Sequence, residues 1–540
     1  MRRVQSDWLW VGVVIVIALG FRVVPLYWSS LPSTLDGFAY AAAGEMAVQT
    51  GSFPLDGRAD RLVFASLLGS IGMITGEGVL AVTQPVASLI GTASVAFGVV
   101  ITRRVVAESS SISADPTRVG LIAGGLLVAE GLFLRRTSVP DEEILGILLT
   151  LTVALSLHYA YRSGAPRWYT IAIGILAIFP LLHTFTSFVV GLVVTAVTVR
   201  HITQSQSLPS VVIGTGITGG FWLHIATYYS LAESTLSLTV PYVDRVTAYP
   251  GLFIGWVLLL IIGSVWIAQT TTRLRRISYF ATISGLLAVL IINTVTPVFP
   301  GTVTTPPIVV IFVLLIGVVA LSAVGALDIL SQYDGITILG ALFIAPAAII
   351  GFSLTASLTP EYFATAMRTQ TFLHLPVLVI SAIGLSKLLQ WDRRGIATIC
   401  IVVVVLLAAF SAPLAYLNMD TGSNPSTTLD SEYQAVQFSS TQLPVSWAGD
   451  HSLTRVGGHQ FNDGDLGPVA QWLNDGNSPQ CVVVSQESWT TTGAHLFPQA
   501  PETVVRSEYS EWLFQRNVIY SSSGIDPIRV STETTNFTDC

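Results

Sequence analysis

Through the first 417 residues the chain alternates long apolar stretches with short polar ones. A helix needs about 20 mainly apolar residues to cross a hydrocarbon core. Read on that length, the chain crosses a membrane about 13 times. The crossings are 8–28, 79–102, 118–134, 144–161, two short ones within 168–199, 210–229, 251–270, 278–296, 307–327, 336–356, 371–390 and 395–417. Residues 62–76 are apolar but short and rich in Gly and Ser, and read as a helix lying at the interface. The first stretch, after Arg2 and Arg3, lacks the short length and small-residue end of a cleaved signal, so it reads as a retained span.

Basic residues orient these spans. If 62–76 does not cross, Arg103-Arg104, Arg162, Arg167, Arg200, Arg273, Arg275, Arg276, Lys387, Arg393 and Arg394 all join Arg2 and Arg3 inside. If it did cross, Arg103-Arg104 and the three arginines at 273–276 would face out. The segments 29–60, 135–143, 182–184, 230–250, 297–306 and 357–370 therefore face out, as does everything after 417. Asp328–Asp334 is the one inner loop without a base.

Past 417 the pattern changes. A polar linker, Thr421–Thr428, leads to a strand-like run at Cys481-Val482-Val483-Val484 and turn signals at Asn462-Asp463-Gly464 and Asn474-Asp475-Gly476. The expected architecture is mainly α: a polytopic membrane part over 1–417 and a small extracytoplasmic α/β or α+β domain over 418–540.

Composition sharpens this. Only 11% of residues are charged, which suits a membrane protein. The membrane part carries 18 acids against 21 bases, and the tail 14 against 4. So acidic a tail argues against nucleic acid as a partner. Lys387 is the only lysine, against 24 arginines, which together with the acidic tail suggests a halophile. The three cysteines, Cys400, Cys481 and Cys540, make no disulfide framework, and Cys400 reads as packing within an apolar run. Asn536-Phe537-Thr538 is an acceptor sequon.

Two acidic groups share the outer face: Asp36, and Asp141 with Glu142 and Glu143. The same face holds Arg135, Arg136, His183, Arg245, Glu361 and Arg368. Each acidic group has a plain reading as a helix cap, Asp36 after Ser33-Thr34 and Asp141 after Pro140. The chemical reading is sugar transfer from a lipid phosphate. A carboxylate takes the proton of the acceptor hydroxyl. The anomeric carbon passes through an oxocarbenium-like state. Arg, His or a metal ion steadies the leaving phosphate. Whether a divalent metal takes part stays open. Arg22 and Glu130 lie near the outer ends of their spans, where ionisable groups face a cavity or each other, or reach to the interface. His158, His201, His224 and His374 are scattered and read as structural. Asp450, His451 and His459 in the tail lack metal-ligand spacing.

The order Leu35-Asp36-Gly37, interface helix, two spans, Val139-Pro140-Asp141-Glu142 resembles the GT-C superfamily of polytopic glycosyltransferases that use polyprenyl-phosphate sugars. The resemblance covers roughly residues 8–200 and the outward tail. It implies Asp36 as the first-loop catalytic acid and Asp141 as the acid of the second outer loop. It implies donor-phosphate contacts from Arg22 and His183; Arg135, Arg136 and Arg368 are candidates on the same face, and Glu142 and Glu130 are possible supports. Gly37 departs from the second acid found in many members. The tail holds Trp447-Ala448-Gly449-Asp450, not Trp-Trp-Asp-Tyr-Gly, which points away from an oligosaccharyltransferase and toward a single-sugar transferase.

The resemblance thus implies an archaeal dolichyl-phosphate-mannose enzyme of the cell membrane, its N-terminus cytoplasmic, that extends a glycan acceptor on the outer face for protein N-glycosylation. Its partners would be the dolichyl-phosphate donor, a lipid- or protein-linked glycan and membrane lipids. Competing readings are a transporter or flippase of a lipid-linked saccharide and a non-catalytic assembly protein.

Overall fold

A computed structural model describes residues 2–52, 58–109, 112, 114–238, 240–299, 316–327, 336–388, 394–418, 426–497, 499–524, 526–533 and 540. The expectations for 300–315, Asp328–Asp334, Arg393, linker residues 421–425 and Asn536-Phe537-Thr538 fall outside the described residues.

The chain opens with α1 (Arg2–Arg22), α2 (Leu35–Thr50), α3 (Leu62–Thr75) and α4 (Val79–Glu108). It continues through α5 (Pro116–Ala129), α6 (Gly131–Ser138), α7 (Glu142–Ser163), α8 (Pro166–Leu182), α9 (Thr184–Ser205) and α10 (Leu208–Leu236). Then come α11 (Val243–Ala248), α12 (Pro250–Gln269), α13 (Thr272–Val295), α14 (Ile336–Ala356), α15 (Pro360–Leu388) and α16 (Arg394–Ser411).

Among the described residues nine helices are long and apolar enough to cross a membrane, and the bent pair α5–α6 makes a tenth. This is a multi-pass membrane protein. The expected count of about 13 included Trp8–Arg22 and Pro166–Leu182, which are shorter apolar helices. It also included 307–327, of which 307–315 lie outside the described residues.

The expected straight crossing over 118–134 is broken. Helices α5 and α6 meet at 70°. The cause is local. Glu130 has an extended backbone, and its carboxylate accepts hydrogen bonds from the Leu132 and Phe133 N–H groups at 3.3 and 2.8 Å. It therefore caps α6. The Gly131 N–H donates to Ser411 Oγ at 2.9 Å. Glu130 is thus a buried cap, paired with His374 Nδ1 at 3.2 Å.

The tail carries α17 (Asp430–Gln442), α18 (His451–Gln460), α19 (Gly467–Asp475) and α20 (Arg506–Phe514) around a mixed four-stranded sheet. Its strands are β1 (Trp447–Ala448), β2 (Val482–Gln486), β3 (Asn517–Ser521) and β4 (Ile528–Thr532), in the order β1-β2-β4-β3. β1 and β2 run parallel and the other pairs antiparallel. β2 is buried on both faces, which explains its unbroken valine run.

Two sequence expectations change here. The tail is not simply tethered: Leu31 and Phe38 join Trp447, Leu453, Val482, Val484 and Val530 in one hydrophobic core. Phe38 is fully buried and stacks on Tyr433 with ring centroids 6.2 Å apart. Such burial contributes about 2–3 kcal/mol toward holding the tail on α2. Second, Cys481 and Cys540 form a disulfide that ties the C-terminus to the start of β2. Their separation of 59 residues carries no spacing signal that could have marked the pair. Cys540→Ser is expected to destabilise the tail by about 2–4 kcal/mol. Thermal unfolding with and without reductant checks this: reductant should lower the wild-type midpoint and leave the variant's unchanged.

Candidate active site

Asp36 lies in the first turn of α2, where its charge faces the positive end of the helix dipole. Thr34, the residue before the helix, makes no side-chain cap. The Asp36 carboxylate reaches the tail instead: Arg455 Nη2, on α18, donates to it at 3.1 Å. With 40% of its side chain exposed, Asp36 stays open to a substrate. Asp141 does cap α7, accepting from the Glu143 N–H at 3.0 Å. Capping uses only Oδ1; Oδ2 lies 3.8 Å from Arg136 Nη1.

Two features bring these loops together. Gln84 on α4 accepts from the Ser33 N–H at 3.0 Å and donates to the Ser138 carbonyl at 2.7 Å, so one buried amide spans both loops. Gly37 packs against Pro140. A Cβ at 37 would lie 2.7 Å from Pro140 Cγ and 2.5 Å from Pro32 Cβ. That contact accounts for glycine, not a second acid, after Asp36. Gly37→Ala is expected to push the Asp36 and Asp141 loops apart, costing about 1–3 kcal/mol. Thermal unfolding together with a transfer assay reads both effects.

Around this junction carboxylates and arginines interleave. Glu143 lies 3.0 Å from Arg368 Nη1, on α15, and 3.7 Å from Arg136. Glu142 lies 3.6 Å from Arg58 and 3.5 Å from His183 Nε2. Arg58 grips Asp60 with two hydrogen bonds, at 2.9 and 3.0 Å. Asp60 also accepts from the Thr184 N–H and hydroxyl, fixing the start of α9 beside His183. Tyr242, in the left-handed region at φ 71°, has its ring 6.1 Å from His183 and under the Arg245 guanidinium at 4.2 Å. A non-glycine residue held there marks a backbone fixed by its surroundings.

The two catalytic candidates are driven apart electrically. Burial alone would raise the Asp36 carboxyl, but Arg368, Arg455, Arg58 and Arg61 hold it below the usual carboxylate range. Asp141 is pushed up to about 6, by burial first and then by the Glu143 charge, with Arg368 and Arg136 opposing. Neighbouring carboxyls with separated affinities for a proton are what paired catalytic roles require.

Of the residues expected from sequence, Asp36, Asp141, Glu142, Arg136, His183 and Arg368 belong to this network. The others lie elsewhere. Arg22 is fully buried and donates to Thr137 Oγ1 at 2.6 Å and to the Ala18 carbonyl at 3.2 Å, which ties α1 to α6. Arg135 donates to the Leu417 carbonyl, and Glu130 caps α6. Arg58, Asp60, Arg61 and Arg455 were not singled out from sequence. A signal existed for the first three: Arg58-Ala59-Asp60-Arg61 is a dense charge cluster in an apolar half of the chain.

Asp60, Glu142 and His183 could hold a divalent cation, since each offers a ligand atom within 4.8 Å of the others. All three are buried, and among the described residues neither ring nitrogen of His183 has a hydrogen-bond partner. Arg58 already fills part of that charge requirement through Asp60 and Glu142. A cation there would compete with its guanidinium.

No protein-family model matches the chain, and no curated protein does. Solved structures do. The archaeal oligosaccharyltransferase AglB from Archaeoglobus fulgidus, in complex with an inhibitory peptide and a dolichol-phosphate, superposes with a TM-score of 0.52. Identity is 13%, over 89% of this chain and 69% of that one. The apo form of the Archaeoglobus fulgidus oligosaccharyltransferase gives 0.54, at 13% identity, over 90% and 70%. The chain has the GT-C fold. Within it, Trp447-Ala448-Gly449-Asp450 is committed to packing. Trp447 is buried, with Nε1 donating to Ser440 Oγ at 2.9 Å. Asp450 accepts from the Leu453 N–H, Trp489 Nε1 and the His495 N–H at 3.1–3.2 Å.

Proposed function

We propose that this protein transfers a single sugar, mannose being the first candidate, from a dolichyl-phosphate carrier to a glycan acceptor at the outer membrane face, extending a surface-protein N-glycan. The observation carrying this reading is the junction itself. Gly37 meets Pro140, so Asp36 and Asp141 border one arginine-lined region at one end of the bundle.

Asp36, kept ionised by its arginines, accepts the proton of the acceptor hydroxyl as that oxygen bonds the anomeric carbon. The bond from the anomeric carbon to the phosphate oxygen breaks, and its electron pair leaves on dolichyl phosphate. Asp141 faces the positive charge building on the sugar. Arg368 and Arg136 offer donors to the phosphate, a geometry guanidinium groups suit. The solved relatives named above are oligosaccharyltransferases, one with a dolichol-phosphate bound, which supports a lipid-linked donor. The spent hydrogen bonds of Asp450 support single-sugar transfer over recognition of a peptide sequon. The disulfide supports an outward tail, where oxidising conditions keep it formed.

The test is a set of dolichyl-phosphate sugars offered with a glycan acceptor to the purified chain in lipid. Transfer of one sugar per acceptor end is expected, with mannose most active. Transfer of a preassembled oligosaccharide to a peptide would overturn the single-sugar reading, and no transfer from any lipid-phosphate sugar would overturn the reading as a whole.

A further inference from the structure

Next to Asp36 lies a group of donors that the mechanism above uses only to keep Asp36 ionised. Arg61 immediately precedes α3. Its Nε is buried without a hydrogen-bond partner, and among the described residues it forms no ion pair. Its one described neighbour of note is the Tyr40 ring, 5.9 Å from the guanidinium carbon. His459, on α18, has Nε2 buried and, among the described residues, without a hydrogen-bond partner. Arg455, one turn earlier on the same helix, spends one donor on Asp36.

Asp36 and Tyr40 lie one turn apart on α2, and Gln460, the residue after His459, donates from Nε2 to the Phe38 carbonyl at 2.9 Å, so the three groups meet over the same turn of α2. Arg61 is lowered to about 10, first by burial and then by Arg58, with Arg455 adding repulsion against Asp60 and Asp36. His459 is lowered to about 4 by burial, then by Arg455 and Arg61. Asp60 is already held by Arg58, which leaves Asp36 as the acid facing Arg61, Arg455 and His459. Two arginines that repel each other, beside a buried Arg61 Nε and a buried His459 Nε2 whose hydrogen bonds are unspent, are costly to hold together unless an anion completes them.

We propose that Arg61, Arg455 and His459 form an oxyanion site of the phosphate or carboxylate type, built between the first loop and the tail. It rests on the reading of Asp36 as the reacting base. An anion there gives Arg455 a second partner beside Asp36 and bridges the tail to the membrane part. The anion could arrive as the phosphate of the lipid carrier or as an acidic group on the acceptor glycan.

The experiment measures binding of dolichyl phosphate, uncharged dolichol and glucuronate to the full chain in detergent, for wild type, Arg61→Gln and His459→Asn. At least a tenfold loss of one anionic ligand is expected in both variants, with dolichol unaffected and the melting temperature unchanged or raised. Loss of dolichyl phosphate assigns the site to the donor, and loss of glucuronate assigns it to the acceptor. Wild-type affinity for both anions in either variant overturns the site. So does a loss that only follows a lowered melting temperature in both variants, which is what a structural role gives. If wild type transfers sugar while the variants bind normally, this inference falls and the proposed function stands. If binding is lost but wild type transfers nothing, the function falls and the site stands.

Discussion

Asp36→Asn is expected to lower sugar transfer by roughly 10²–10⁴-fold, the usual worth of a positioned general base. The chain should stay folded in the membrane. Asparagine keeps the size of the side chain and an oxygen for Arg455, which now donates at 3.1 Å. Asp36 is also part-exposed, so removing its charge opens no buried hole. Binding of dolichyl phosphate should persist, since the anion contacts come from arginines and not from Asp36. The loss should therefore appear in turnover more than in donor affinity. Near wild-type transfer by a folded Asp36→Asn protein would remove Asp36 from the role of base.

Asp141→Asn is expected to stabilise the fold at pH 7.5 while impairing transfer. The carboxyl is raised from 3.8 in the unfolded reference to about 6 in the folded chain. A group with a raised folded value binds its proton more tightly when folded. Its favourable contribution is present below about 4 and is lost as pH rises to about 6. Above that, the buried anion costs about 3 kcal/mol. Asparagine removes this cost and still accepts the Glu143 N–H, because Asn caps helices as well as Asp. The gain in melting temperature should shrink when the scan is repeated at pH 5. Wild-type transfer should fall as pH drops through about 6, when Asp141 takes up its proton. That inflection should vanish in the variant. A variant that loses stability at pH 7.5, or keeps the inflection, would show that Asp141 is only a cap.

Much of the membrane part was legible because span length and hydropathy are local properties. Asp36, Asp141, Glu142 and Glu143 were legible too, since carboxylates between apolar runs stand out, whereas Asp60 was passed over. Tertiary partners were not. Arg455 meets Asp36 across 419 residues of sequence, and nothing around either residue announces the other. Glu130 looked like a charge near a span end. Hydropathy does not register the 70° bend that turns it into a cap for α6. Leu31 and Phe38 read as loop and helix-start residues, although they supply part of the core under the tail sheet. Arg22 and Arg135 carried the same basic signature as Arg136, yet their guanidinium groups are spent on Thr137 and on the Leu417 carbonyl.

On the proposed function, this chain breaks the bond between a sugar and its lipid phosphate. The most direct measurement is the donor balance in sealed vesicles containing the purified chain, dolichyl-phosphate mannose and a glycan acceptor. One free dolichyl phosphate is expected for every sugar found on the acceptor, and neither product with Asp36→Asn. Intact donor carried from one leaflet to the other, with no dolichyl phosphate released, would contradict it and make the chain a transporter of the lipid-linked sugar.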